Sequence, residues 1–243
     1  MTKSIIDTFN EYFDIVPAIS DELKNEVYKL RYQVYCLETG FEDPALHPDG
    51  MEYDEFDSHS VHYLIRHRKL GVYMATTRLI LPCPENIEKL YPIEIYTKID
   101  DFGALKHISR NCLAEASRFC VSKEFRRRKH EINTVSGISE EVEKVFAQDE
   151  RRIFPHLTLA LFTCLIKMSR ENNVLDWYAV MEPALIRVFS SIGMNFIGIG
   201  PLTDYHGMRR PCTIRVDDLL NGVARKNTEY WDVLTNKGQF WAI

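Results

Sequence analysis

From Ser20 onward, apolar side chains recur every three or four residues, which is the spacing of one helix face. The stripe consists of Leu23, Val27, Leu30, Val34 and Leu37. Ser20 is a favourable N-cap residue and Gly40 a favourable end. The pattern predicts a helix between them, with Arg31, Tyr35 and Glu38 on the flank of the buried stripe, where they can face a site beside the core.

Three segments after this helix have the pattern of β-strands. Residues 61–65 and 72–81 flank a polar turn and predict an antiparallel hairpin, and residues 113–121 predict a third strand. In this third strand, strict alternation would place Glu115 and Arg118 on opposite faces. Either the two side chains serve different neighbours or a β-bulge redirects one of them, and we favour the bulge.

The second half of the chain alternates between helix and strand patterns. Residues 126–152 are polar and charged with little periodicity, apart from a short helical pattern at 138–146, and predict a flexible insertion. The predicted elements beyond it are helices at 155–172 and 183–192, strands at 177–181, 196–200 and 213–216, and short terminal helices. Antiparallel strands followed by strand and helix alternation predict an α/β fold with a sheet of mixed direction.

Composition and charge exclude several classes of protein. A length of 243 residues with 45% hydrophobic content fits one domain. The net charge of -5 argues against nucleic acid as a general partner. No segment approaches the roughly 20 apolar residues of a membrane span, and the N-terminus lacks a signal-peptide pattern. We therefore expect a soluble protein with the cytoplasm as its default compartment. The six cysteines form no C-x-x-C pair, which argues against a zinc site and predicts reduced thiols.

The segment Gly50–Asp57 holds four carboxylates interleaved with two aromatic residues. An isolated charge run is usually solvated surface. However, Arg78 and Arg118 lie within apolar strands and need anionic partners once buried. We expect them to meet carboxylates of this segment, Glu115 or a ligand; a purely structural ion-pair network is the alternative.

Several of these residues together resemble the acyl-homoserine-lactone synthase family. The likeness consists of a helix arginine, a G-x-E-x-D-x-x-D segment, a strand arginine and an E-x-S-R-F-x-V strand. The residues that carry it are Arg31, Tyr35, Phe41, Glu52, Asp54, Asp57, Arg78, Glu115, Ser117, Arg118 and Phe119. The chain is more similar still to the related N-acyl amino acid synthases, in particular the PEP-CTERM/exosortase system-associated acyltransferases. This likeness extends through LRYQVYC, SRFCVSKEFRRR and the Met181 to Gly193 region.

The resemblance implies one GNAT-like domain over residues 1–243. It has three layers, with a mixed, mostly antiparallel sheet, helices on both faces and an acyl-pantetheine arm between splayed central strands. Phe41 stands where the homoserine-lactone enzymes typically carry a tryptophan that helps hold S-adenosylmethionine, and Glu38 stands where a basic residue is common. These departures favour the N-acyl amino acid synthases.

The donor site also departs from that of acetyl-CoA enzymes of this fold, which hold pyrophosphate on a glycine-rich loop. The corresponding segment, Glu124–His130, has no glycine and carries a basic cluster. Its members are Arg126, Arg127, Arg128 and Lys129. A basic cluster suits the acidic surface and single phosphate of acyl carrier protein. A solvated turn or a nucleic-acid patch is the alternative.

The resemblance implies transfer of a long acyl chain from acyl carrier protein to the amine of a small amino acid, with no bound cofactor or metal. The donor is the acyl-phosphopantetheine of the carrier. The expected catalytic residues are Glu52, Glu115 and Arg118, with Glu52 or Glu115 taking the amine proton. The expected substrate-binding residues are Arg31, Tyr35, Phe41, Asp54, Asp57, Arg78, Ser117 and Phe119. Of these residues, Arg31, Arg78 and Arg118 are the cations available for an acceptor carboxylate.

Other readings remain open. One is an acyl-homoserine-lactone synthase that consumes S-adenosylmethionine, and another is a non-catalytic sensor that binds acyl carrier or lipid. The apolar stripe of residues 157–168 can line an acyl tunnel, although such a stripe is more often core. A Cys/His acyl-enzyme through Cys120 has no supporting spacing.

Overall fold

The computed structural model describes residues 4–125 and 156–241. Within this part of the chain, eight strands form one sheet accompanied by seven α-helices. The strands are β1 Phe13–Pro17, β2 Ser60–His67, β3 Tyr73–Ile80, β4 Leu113–Val121, β5 Asp176–Met181, β6 Ile197–Gly198, β7 Thr203–Asp204 and β8 Met208–Arg215. The helices are α1 Ile5–Tyr12, α2 Asp21–Arg31, α3 Pro92–Tyr96, α4 His156–Glu171, α5 Pro183–Ser191, α6 Val216–Lys226 and α7 Thr228–Thr235.

The strand order is β1-β2-β3-β4-β5-β8-β6, and β7 pairs with β8. Every pairing is antiparallel except that between β4 and β5. These two parallel strands pair only from Leu113 to Glu115 against Asp176 to Tyr178. Beyond Glu115 the two strands separate, which confirms the expected splay at the centre of the sheet.

The sheet has packed layers on both faces. Successive residues of β2 point to opposite sides, so Tyr63 and Ile65 join the main core whereas Leu64 joins a smaller core beneath α2. Helix α4 packs along the main-core face across β1 to β4. The mixed, mostly antiparallel GNAT-like fold with helices on both faces is thereby confirmed.

The bulge expected in β4 is present. Arg78 of β3 faces Ser117, whereas Thr76 faces Cys120, so β4 holds one extra residue across this interval. Arg118 lies in the interval with a φ of 50°. That left-handed conformation is uncommon for a residue with a side chain, and the bulge accounts for it.

The first predicted helix is present, with a different end. The Ser20 hydroxyl accepts a hydrogen bond from the Leu23 N–H as the N-cap. After Arg31 the chain continues as a π-helix, Tyr32–Glu38, whose wider turns rotate later residues away from the stripe. The placement of Leu37 in the stripe is therefore wrong, because Leu37 is 64% exposed.

Other boundaries differ more. The strand predicted at 196–200 is reduced to β6, and β8 starts at Met208, five residues before its predicted start. Helix α1 and strand β1 were not predicted. The insertion predicted at 126–152 lies outside the described residues. None of the described helices has the length and apolarity needed to cross a membrane.

Candidate active site

A cavity of about 520 Å³ opens where β4 and β5 separate. Its lining divides into a charged part and an apolar part. The charged part includes Asp54, Arg78, Glu115, Ser117 and Arg118, and the apolar part includes Phe162, Leu165, Trp177, Leu185, Phe189 and Phe196. This volume lies within the range of about 300–1,000 Å³ typical of ligand pockets.

Behind the charged part lies a buried ion-pair network centred on Arg31. This arginine, at the end of α2, is fully buried. Its Nε donates to Glu52 at 2.5 Å, and its two terminal nitrogens donate to Asp57 at 2.8 and 3.1 Å. The two-point contact with Asp57 is the geometry that a planar guanidinium favours. Arg31, Glu52 and Asp57 do not line the cavity.

The acidic segment is folded into this network by its own backbone. Glu52 N–H donates to the carbonyl of Tyr28 at 3.0 Å, which holds the segment against α2. Asp54 and Asp57 form a capping box on a short 3₁₀ helix, with the Asp54 N–H donating to Asp57 and the Phe56 N–H donating to Asp54. Interpretation of the segment as a solvated turn is therefore wrong.

Arg78 links the network to the cavity. One of its terminal nitrogens donates to Asp54 at 2.6 Å and to Asp57 at 2.8 Å. Its Nε donates to the Ser117 hydroxyl at 3.0 Å. The expectation that this strand arginine meets carboxylates is confirmed.

Arg118 reaches the same carboxylates from the bulge in β4. Its Nη2 donates to Glu52 at 2.8 Å, and its guanidinium carbon lies 5.2 Å from the centre of the Tyr35 ring. Its side chain is 17% exposed, and this exposed part faces the cavity. Burial alone would raise the pKa of Glu52, but Arg31 and Arg118 outweigh this effect and lower the pKa to about 2.

Glu115 is the carboxyl group that stands apart from the network. It is 4% exposed, lines the cavity, and accepts a hydrogen bond from the Ile93 N–H at 2.9 Å. Among the described residues, no lysine or arginine forms an ion pair with it. Burial raises the pKa of Glu115 to about 7. A carboxyl group in this state can accept and return a proton near neutral pH.

The structure therefore separates the two carboxyl groups expected to act as proton acceptor. Glu52 is held ionised between two arginines behind the cavity wall, so it is a weak base without access to substrate. Glu115 lines the cavity and has a pKa of about 7, so it combines access to the cavity with the ability to take up a proton near neutral pH.

The remaining predicted residues that the structure describes either line the cavity or lie in the core. Tyr35, Phe41, Ser117 and Phe119 line the cavity with the charged groups. From the stripe in α4, Phe162 and Leu165 line it, whereas Leu161 and Met168 are buried in the main core. The basic cluster Arg126–Lys129 lies outside the described residues.

One part of the lining was missed in the sequence. The turn between β7 and β8 brings Tyr205 and His206 to the cavity, and Arg209 reaches it from the start of β8. His206 stacks on Phe41 with ring centres 5.4 Å apart, and Tyr205 stacks on Tyr96 at 5.7 Å. The available signal was the turn sequence DYHG, in which an aromatic pair precedes Gly207.

Residues 30–134 match the acetyltransferase (GNAT) domain family. No curated protein matches by sequence.

The solved structures that share the fold include three synthases. The acyl-homoserine-lactone synthase LasI is 18% identical, with 87% of this chain and 95% of LasI covered and a TM-score of 0.52. FeeM, an N-acyl amino acid synthase from uncultured soil microbes, is 12% identical, with coverage of 89% and 97% and a TM-score of 0.52.

BjaI, a CoA-dependent acyl-homoserine-lactone synthase solved with S-adenosylmethionine and isopentyl-CoA, is 16% identical, with coverage of 93% and 88% and a TM-score of 0.55. At these identities the likeness shows the fold. The match of residues 30–134 to an acetyltransferase (GNAT) domain, within a fold shared with these synthases, supports an acyltransferase enzyme.

Proposed function

We propose that the protein moves a long acyl chain from the thioester of acyl carrier protein to the amine of an amino acid, giving an N-acyl amino acid. The observation that carries this proposal is a single cavity that joins Glu115, a buried carboxyl with a pKa of about 7, to an apolar compartment between splayed strands. The resemblance to PEP-CTERM/exosortase system-associated acyltransferases supports the choice of product.

The reaction needs a base, a site for the oxyanion and a fixed approach of the amine to the thioester carbonyl. Glu115 accepts a proton as the amine attacks and the C–N bond forms. The C–S bond then breaks, and the pantetheine sulfur leaves as the thiol, taking the proton from Glu115. Beyond Glu115 and Tyr178, backbone N–H groups along the separated edges of β4 and β5 are suited to hold the oxyanion.

The apolar compartment suits the acyl chain. Phe162 packs against Phe119 at 5.3 Å and against Phe189 at 4.8 Å, so aromatic rings form a continuous wall beside β4. Because this wall holds no charged group, it favours a hydrocarbon chain over a polar acyl group. The basic cluster Arg126–Lys129 supports acyl carrier protein as the donor.

A second candidate is an acyl-homoserine-lactone synthase that uses S-adenosylmethionine. The fold likeness to LasI and BjaI favours it as much as the likeness to FeeM favours the first candidate. Phe41, which stands in place of tryptophan beneath His206, favours the first candidate.

The test is mass spectrometry of products formed from long-chain acyl carrier protein and mixed amino acids, with S-adenosylmethionine added in a parallel reaction. We expect an N-acyl amino acid without S-adenosylmethionine. A lactone formed only with S-adenosylmethionine would establish the second candidate. An inactive protein in both reactions would favour a non-catalytic sensor, and acyl-CoA in place of the carrier identifies the donor.

A further inference from the structure

The three arginines expected to hold an acceptor carboxylate are already matched by acids. Arg31, Arg78 and Arg118 share Glu52, Asp54 and Asp57, and Arg118 also lies 3.4 Å from Glu42. Arg31 is also walled off from the cavity. A carboxylate entering beside the other two would face acids of its own sign at hydrogen-bond distance.

Arg209 differs from these three arginines. It lies on β8, lines the cavity, and its side chain is 15% exposed. Its ion pair within the described residues is with Glu182, at 3.6 Å, which is too long for a hydrogen bond. Its Nε is buried and has no hydrogen-bond partner. A buried guanidinium nitrogen without an acceptor is costly, so an anion that accepts from this nitrogen would be stabilised here.

The surroundings of Arg209 favour a small planar anion. The guanidinium carbon lies 5.5 Å from the centre of the Phe41 ring, on which His206 also stacks. This contact restrains the guanidinium, whose planar shape is suited to two-point binding of a carboxylate. Burial raises the pKa of Glu182, and the charge of Arg209 opposes this shift.

We infer that Arg209 is the receptor for the carboxylate of the acceptor amino acid. This inference rests on the proposed function and adds the residue that distinguishes an amino acid from a simple amine. Arg209 and Glu115 line the same cavity, as this inference requires if one amino acid is to place its carboxylate at the first and its amine at the second. A donor phosphate shares the anionic chemistry and is separated by the experiment.

The test measures binding of two matched ligands to the full-length protein by calorimetry. N-dodecanoylglycine carries the carboxylate, and N-dodecanoylglycinamide replaces it with a neutral carboxamide. A charge-assisted two-point contact should give the wild type a preference of about 10- to 100-fold for the carboxylate. Arg209→Gln should reduce this preference to under about 3-fold, with carboxamide binding retained. Arg209→Lys should fall between them.

Arg210→Gln is the matched control. Arg210 is the next residue on β8, does not line the cavity, and donates to the Gly200 carbonyl. It should keep the wild-type preference, and thermal unfolding confirms that each variant is folded. Absence of a preference in the wild type, or an unchanged preference in Arg209→Gln, would overturn the inference. Weaker phosphopantetheine binding in Arg209→Gln, with an unchanged carboxylate preference, would assign Arg209 to the donor instead.

Turnover is measured separately, so the two proposals can fail independently. The function is refuted and the anion site is kept if the wild type makes no N-acyl amino acid while Arg209→Gln shows a reduced carboxylate preference. The function is kept and the anion site at Arg209 is refuted if the wild type acylates amino acids while Arg209→Gln keeps both turnover and carboxylate preference.

Discussion

Replacement of Glu115 by glutamine should separate activity from stability. The amide keeps the size of the side chain, and its oxygen can still accept from the Ile93 N–H. It cannot take a proton from the amine. Loss of a positioned general base costs about 10²- to 10⁴-fold in rate, or roughly 3 to 5 kcal/mol of transition-state stabilisation. We expect kcat/KM to fall by this factor at pH 7.5.

The same substitution should stabilise the folded protein above neutral pH. The pKa of Glu115 is about 7 in the folded protein against an ordinary 4.5. Below pH 4.5 both folded and unfolded chains hold the proton. Between these values the unfolded chain releases its proton first, so folding becomes less favourable as pH rises. At about 1.4 kcal/mol per pKa unit, ionisation of Glu115 above pH 7 costs the wild type about 3 kcal/mol of its free energy of unfolding.

Two assays test this reasoning. Urea unfolding of wild type and Glu115→Gln at pH 4.5, 6 and 8 should show that the variant becomes more stable relative to the wild type as pH rises. The wild-type rate should rise with pH through about 7, and the variant should lack this rise. Glu94→Gln is the contrasting control, because Glu94 pairs with Arg110 at 2.7 Å and its loss should destabilise at pH 8. Full activity in Glu115→Gln, or lower stability at pH 8, would refute the assignment.

Three further substitutions test the network and the cavity. Arg118→Lys cannot reproduce the contact of two nitrogens with Glu52. We expect kcat/KM to fall at least about 10-fold with a small change in Tm. Near-normal turnover would remove Arg118 from the mechanism. Arg31→Met leaves Glu52 and Asp57 buried without this partner, so urea unfolding should show a loss of about 3–5 kcal/mol, and a loss below about 1 kcal/mol would contradict a structural role. Leu185→Trp narrows the apolar compartment, so kcat/KM across acyl donors of graded length should shift to shorter chains, and an unchanged optimum would place the chain elsewhere.

The sequence was informative where local pattern and tertiary environment agree. The bounds of β4 match the prediction because apolar residues begin and end this nine-residue strand, and those at both ends are buried. The bulge could be expected because two charged residues three apart cannot share a face of a regular strand. The π-helix after Arg31 could not be expected, because the apolar spacing continues through Leu37 as it would in a regular α-helix.

The division of the site could not be predicted either. Arg31 and Arg118 were both expected to be available for an acceptor carboxylate, yet Arg31 is sealed behind the cavity and Arg118 lines it. The turn that carries Tyr205 and His206 is short, polar and lacks periodicity, so its contact with Phe41 exists only in the folded chain. Such long-range placement depends on the path of β8, whose start was predicted five residues too late.

The ion-pair network has a geometric consequence that its energy alone does not explain. Buried ion pairs contribute little net stability compared with apolar packing, and the left-handed backbone at Arg118 costs on the order of 1–3 kcal/mol. The bulge nevertheless turns Arg118 to the cavity side occupied by Glu115. Three carboxylates within 3.4 Å of its Nη2 hold the strained residue there. The acids therefore hold Arg118 at the cavity, while Glu115, which has no ion-pair partner in the described part of the chain, keeps a pKa of about 7.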